Sequence, residues 1–306
     1  MQPVVLSYGG IEIEIAVEGD KPASLTKMTV PGVSAVFDGP PVPLVEVLSP
    51  SYGHAQPLLR MSGTVVGSRL RYVSHRPSGH GYVLELADPD SGLEVSLRLI
   101  SLATATLSAT TTVRNGGTEQ QVVSALTSVN VPVTGRIAEV RTDAETIDVL
   151  DARGDWTGEN RWHRRPAREL LADLRLPDGV QPKSAHRWVS TGTWSTADIL
   201  PVGALAATEA PWALAWQIEH NGGWRAELAE LAGTGGGRGG LQLSLSGPTD
   251  VDHGWLCVLP PGAEFTSVPV TIAVGTDVWS SVAALTTYRR AARRAHPDNA
   301  RRSQTS

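Results

Sequence analysis

Apolar and polar residues alternate along most of this chain with a period of two. The clearest run is Ile11, Ile13, Ile15 and Val17, separated by Glu12, Glu14 and Ala16, the pattern of a strand with one wet face. Similar runs predict strands over Leu44–Leu48, Thr64–Val73, Tyr82–Leu86, Leu93–Leu99, Thr106–Val113 and Val122–Val131. Further ones cover Leu214–Ile218, Leu241–Leu245, Trp255–Leu259 and Phe265–Val274. Turn residues punctuate them. Asn115-Gly-Gly117 and Asn221-Gly-Gly223 offer residues tolerant of positive φ, and each predicts a short hairpin between antiparallel strands. Asp88-Pro-Asp-Ser-Gly92 reads the same way, with Pro presetting φ and Gly closing the turn. The pattern turns helical near the C-terminus. Thr276-Asp277 offers a cap, Val278, Val282, Leu285 and Tyr288 fall at helical spacing, and Arg289, Arg290, Arg293 and Arg294 make a basic last part before Pro297. A shorter helical turn is expected over Pro166–Leu174, and disorder after Asn299.

Many strands without alternating helices imply an all-β antiparallel sandwich. No Pro/Ser-rich or charged linker divides the 306 residues, so one large sandwich is favoured over two small ones. The expected organisation is a sandwich over 1–275, a helix over 276–296 and a tail over 297–306.

Composition removes several function classes. The net charge of −5 speaks against a nucleic-acid partner. No stretch reaches the roughly 18 apolar residues of a membrane span, and the N-terminus lacks a signal-peptide pattern, so a cytoplasmic protein is expected. The one cysteine, Cys257, reads as a buried spectator, and no Cys/His spacing suggests a metal; no cofactor is expected. Gly235, Gly237 and Gly240 match a dinucleotide fingerprint in form, but a strand follows where a helix is required, which makes the segment a hairpin loop. Walker A, zinc-protease and nucleophile-elbow motifs are missing from the sequence.

Nine tryptophans stand against two phenylalanines, eight of them between Trp156 and Trp255. Indoles serve as core anchors and as stacking faces for sugars. Trp212, Trp216 and Ile218 share a strand face and are expected in the core. Trp156 and Trp162 sit in a polar stretch with Asp155, Glu159, Asn160, His163 and Arg164, read as a loop that lines a carbohydrate site or an interface. Glycoside cleavage uses two carboxylates; Asp155/Glu159 and Asp250/Asp252 are the local candidates, with surface solvation the default reading of both. His220 and His253 are candidate acid–base groups by their ordinary pKa, each beside a turn.

A set of segments in fixed order resembles a known family. They are Pro43–Leu48 (PLVEVL), Gly67–Tyr72 (GSRLRY), Asp155–Arg165 (DWTGENRWHRR), Ser190–Ser195 (STGTWS) and Trp216–Trp224 (WQIEHNGGW). The series continues through Leu245–Asp250 (LSGPTD), Pro261–Thr266 (PGAEFT) and Tyr288–Asn299 (YRRAARRAHPDN). Together they resemble the N-terminal domain of glycoside hydrolase family 36, the bacterial α-galactosidase group. The resemblance implies a galactose-mutarotase-like supersandwich placed before a (β/α)8 barrel, with the helix from Thr276 as the connection. It also implies that both catalytic aspartates belong to the barrel, so no residue here is expected to be catalytic and the chain alone is expected to be inactive. The family's N-terminal domain contributes to sugar binding through a Gly-Ser-Arg arginine, which Gly67-Ser68-Arg69 fits. A second contribution comes from an acidic residue in a Gly-Asp-Tyr-Arg-like turn; Tyr52-Gly-His-Ala-Gln56 stands at that turn without the acid. Arg69, from this resemblance, and Trp156 and Trp162, from their place in the polar stretch, are the candidate substrate-binding residues. The implied whole enzyme releases terminal α-linked galactose from oligosaccharides such as melibiose or raffinose and forms a homo-oligomer. A freestanding carbohydrate-binding module and an interaction domain for a separately encoded barrel are the alternatives.

Overall fold

In the computed structural model, residues 2–54, 60–155, 157–171, 184–233 and 239–293 are described. Strands dominate. The largest sheet has ten, and its path runs from Arg161–Pro166 at one edge through Ile147–Arg153, Ile199–Ala207, Ala213–Ile218, Val270–Gly275, Thr106–Asn115, Leu93–Ile100 and Gly81–Asp88 to Arg71–Pro77. The short strand Glu264–Thr266 pairs off this path with Thr106–Asn115. A five-stranded sheet, ordered Ala185–Ser190, Trp224–Leu231, Gly240–Ser246, Ala125–Pro132 and Val47–Leu48, lies against it. A six-stranded sheet gathers the first four strands, Val4–Tyr8 to Val33–Val36, with Gly135–Ile137 and Val140–Thr142. Every pairing is antiparallel, and the architecture is the expected all-β sandwich with a C-terminal helix.

Alternation builds the core. On Trp224–Leu231 and Gly240–Ser246, Trp224, Ala226, Leu228, Leu241, Leu243 and Leu245 turn inward and are all buried. Trp188 of the five-stranded sheet meets Trp216 of the ten-stranded sheet with ring centroids 5.4 Å apart, and its indole N–H donates to Asp151 Oδ2 at 2.9 Å. Elsewhere Thr111 Oγ1 donates across the same interface to the Ser128 carbonyl at 2.8 Å. Trp212, Trp216 and Ile218 are buried as expected. Cys257 is only partly buried, in a two-stranded pairing with Gln121–Val123, and burial pushes its thiol pKa up.

The helix Val278–Ala292 begins at the expected cap. Asp277 accepts from the Ser280 N–H at 2.7 Å while Ser280 Oγ accepts from the Asp277 N–H at 3.1 Å, a reciprocal box. It packs on the outer face of the ten-stranded sheet, where Ala204, Ala215 and Ala273 stand side by side on three neighbouring strands. Small side chains there let the helix come close, and Leu285 fills the contact.

Several expectations are corrected. Thr64–Val73 is not one strand. Thr64 Oγ1 accepts from the Gly67 N–H at 3.0 Å and caps a helix over Val65–Arg69, and a strand starts only at Arg71. The Leu44–Leu48 run contributes only Val47–Leu48 to a sheet. Neither Asn-Gly-Gly turn closes a hairpin. Gln121–Val123 leaves Thr106–Asn115 to pair with Cys257–Leu259, and Trp224–Leu231 belongs to a different sheet from Ala213–Ile218. Both turns connect strands of different sheets, held at the first by Asn115 Nδ2, which donates to the Glu119 and Leu259 carbonyls at 2.7 and 2.8 Å. The Asp88–Gly92 turn does close a hairpin, with Gly92 at φ 70°. The Gly-rich segment joins paired strands at Leu231 and Gly240; its residues 234–238 lie outside the described residues. The short helix expected over Pro166–Leu174 spans Ala167–Leu170. Residues beyond 293, with the expected disordered tail, lie outside the described residues.

Candidate functional site

Trp162 sits on a strand rather than in a loop. Its strand, Arg161–Pro166, is the edge of the ten-stranded sheet, paired with Ile147–Arg153 so that Arg164 lies opposite Leu150 and Trp162 opposite Ala152. Leu150 packs toward the C-terminal helix, and the period of two puts Arg164 and Trp162 on that same face. Trp162 is 49% exposed there. The indole borders an open groove of about 630 Å³ between the edge of the sheet and the second half of the helix.

The groove has three parts. Leu200, Val202, Val282 and Leu285 line its apolar part. Arg289 and Arg293 form one rim, and among the described residues neither makes an ion pair. Glu219 carries the third. Its Oε1 accepts from Gln217 Nε2 at 2.9 Å and from Thr271 Oγ1 at 2.6 Å, and its Oε2 accepts from the Tyr288 hydroxyl at 3.4 Å. Burial raises the Tyr288 pKa, so the phenol is a proton donor at neutral pH. Glu219 itself is exposed, an acceptor held in one orientation at the groove. Sequence reading missed Glu219 and Gln217. The available signal was that Gln217 and Glu219 continue the outer face of a strand whose inner face carries Trp216 and Ile218.

Arg69 belongs to a separate place. It ends the helix Val65–Arg69, where Nη2 contacts Asp88 Oδ2 at 2.7 Å and Nη1 contacts Asp90 Oδ2 at 3.2 Å. Its guanidinium lies 5.0 Å from the centre of the Tyr52 ring. Asp88 also accepts from Ser91 Oγ at 2.6 Å. The cluster fastens the capped helix and the Tyr52 turn to the Asp88–Gly92 hairpin. Gly81–Asp88 lies seven strand positions from Arg161–Pro166 in the sheet, about 33 Å at the usual spacing, so Arg69 and Trp162 do not build one site. Trp156 lies outside the described residues.

Under this cluster the outer face of the five-stranded sheet holds a buried charge network. Glu46 accepts from the Gly63 and Thr64 N–H groups at 2.9 and 3.1 Å and from the Thr64 hydroxyl. Glu227 accepts from the Met61 N–H at 2.8 Å and pairs with Arg225, which also holds Asp252 at 2.8 Å. Burial pushes the Glu46 carboxyl up to about 7. The network pins residues 60–64, which lead into the Arg69 helix. Asp252 is thus committed to Arg225 rather than solvated, while Asp250 is exposed, as the solvated reading of the pair expects. His253 is likewise structural: Nδ1 accepts from the Thr249 N–H at 3.0 Å and Nε2 lies 2.8 Å from the Ser190 carbonyl. Asp155 and Glu159 are exposed on the turn before the edge strand. Among the described residues no group of His, Cys, Asp or Glu is arranged to hold a metal, and no helix is long and apolar enough to cross a membrane.

A sandwich of this size, with its helix docked on one outer face, defines the class of the protein. No model of a known family and no curated protein matches the sequence. Solved structures do match in fold. The GH36 α-galactosidase AgaB from Geobacillus stearothermophilus superposes with a TM-score of 0.68 at 17% identity, over 97% of this chain and 43% of that one. A variant of AgaA from the same organism, in complex with raffinose, gives 0.65 at 17% identity over 95% and 42%. The α-galactosidase from Lactobacillus brevis gives 0.64 at 12% identity over 94% and 42%. The chain therefore has the fold of part of the GH36 α-galactosidases, consistent with their N-terminal domain, and spans less than half of their length.

Proposed function

We propose that this chain is the non-catalytic β-sandwich portion of a GH36-type α-galactosidase. Its work is to support a catalytic barrel and its oligomer contacts in an enzyme that releases terminal α-linked galactose. The observation that carries this reading is that nearly the whole chain superposes on under half of each of these α-galactosidases. The residues agree with a supporting role. Two of the groups singled out for catalysis, Asp252 and His253, are tied into the scaffold, and Arg69 is tied to Asp88 and Asp90. An aryl α-galactoside assay tests the proposal. The purified 306-residue chain shows no turnover, whereas material isolated from its source with an antibody against the chain does. Hydrolysis by the purified chain alone, abolished by no barrel-directed inhibitor, or inactive native material would overturn it.

A further inference from the structure

The groove beside the C-terminal helix presents more specific chemistry than scaffold support requires. Its exposed indole, Trp162, offers a flat apolar face at one end. Glu219 offers an exposed carboxylate held by Gln217, Thr271 and Tyr288, so its lone pairs are aimed before any ligand arrives. Arg289 and Arg293 offer donors that no acid among the described residues occupies. Asn160 and Gln217 add amides at the same wall.

We infer that this groove binds a neutral oligosaccharide, with Trp162 stacking on a pyranose face, Glu219 accepting from ring hydroxyls and Arg289 and Arg293 donating to them. The mixture of signs selects this class. An acidic peptide would suit the arginines but would face the fixed Glu219 carboxylate, and a basic one would meet the reverse conflict. A polyol, whose hydroxyls both donate and accept, satisfies both signs without bringing a charge of its own. The aromatic face takes the C–H groups that line one side of a sugar ring. The volume of about 630 Å³ falls within the roughly 300–1,000 Å³ of small-ligand clefts and holds several sugar units rather than a folded partner. Open on one side, the groove suits a chain end or a short oligomer.

The choice of raffinose and stachyose as probes rests on the function proposed above; the groove itself does not. Intrinsic tryptophan fluorescence and titration calorimetry on the full 306-residue chain test the inference with raffinose, stachyose, maltotriose and cellotriose. Saturable binding of at least one sugar at millimolar or lower concentration is expected. Trp162→Ala abolishes it, Glu219→Gln weakens it at least fivefold, and Trp279→Ala, at an exposed indole of the helix's first turn, leaves it unchanged. Circular dichroism and thermal melts confirm that each variant is folded. Binding of maltotriose or cellotriose but of neither galactoside keeps the site and counts against the α-galactosidase reading. No saturable binding of any of the four at 50-fold above millimolar concentration, or binding that survives Trp162→Ala, overturns the inference. So does a native complex in which another polypeptide protects Trp162 from oxidation, because the groove then serves as a protein interface.

Discussion

Glu46 makes a quantitative test of how the polar face of the smaller sheet is built. Its carboxyl is buried, and burial raises its pKa to about 7 against an ordinary value of 4.5, despite the donors from Gly63 and Thr64 that favour the charged form. The folded chain therefore holds this proton more tightly than the unfolded chain does. Stability from this group is fully present below about pH 4.5 and is lost as pH rises through 7. The whole shift corresponds to roughly 3 kcal/mol, most of which falls between pH 5 and pH 8. Other groups titrate across this range as well, so the measurement is a comparison. Urea unfolding of the wild type and of Glu46→Gln is followed at half-unit steps from pH 5 to pH 8. Glu46→Gln carries no ionisable group at this position. The stability gap between the two proteins is expected to shift by roughly 2–3 kcal/mol in favour of the variant as pH rises. Parallel curves, with a gap that does not change with pH, would refute the claim that the desolvated carboxyl holds its proton to near neutrality.

Three further perturbations address the Arg69 cluster, the sheet interior and the helix. Arg69→Ala leaves Asp88 buried beside Ser91 without its cation and is expected to cost about 1–3 kcal/mol in urea unfolding, with sugar binding at the distant groove unchanged. Gly203→Ala places a methyl group 2.3 Å from Trp216 Cζ2 and 2.9 Å from the Leu150 carbonyl oxygen; a loss of about 1–3 kcal/mol in thermal or urea unfolding is expected. Ala215→Leu fills the alanine row under the helix. Amide exchange is expected to speed up over residues 278–292 while the strands of the five-stranded sheet keep their protection.

The strands and the terminal helix were legible because their signals are local. Ile11–Val17 alternates whatever it pairs with, and Asp277 meets its partner Ser280 three residues away. Asp88–Gly92 was legible for the same reason, since its ends pair with each other. What sequence could not carry was the choice of distant partner. Asn115-Gly-Gly117 and Asn221-Gly-Gly223 satisfy a hairpin and a link between sheets equally, and the decision falls to strands far along the chain, such as Cys257–Leu259 for the first. Thr64–Val73 alternates acceptably for a strand. Its first half becomes a helix because Glu46, buried on another element, takes the Gly63 and Thr64 donors, and Gly67 has no room there for a side chain: a Cβ would lie 2.2 Å from Glu46 Oε2.

The candidate site divides in the same way. Trp162 was visible as an indole in a polar stretch, and the arginines of the helix were visible as a basic end. Their meeting across a groove, together with Glu219, depends on the register of three strands and on an alanine row that brings the helix down onto them. No local spacing encodes that. Arg69, singled out by its Gly-Ser-Arg context, proves to be anchored at the other side of the same sheet.

The central claim is that this sandwich works as part of a larger α-galactosidase. Native mass spectrometry of the material isolated from its source with an antibody against the chain tests it most directly. The account predicts a polypeptide of more than twice 32.4 kDa, in line with superposition on some 42% of the length of the matching α-galactosidases. A particle of 32.4 kDa, or a multiple of it with no other polypeptide present, would contradict it.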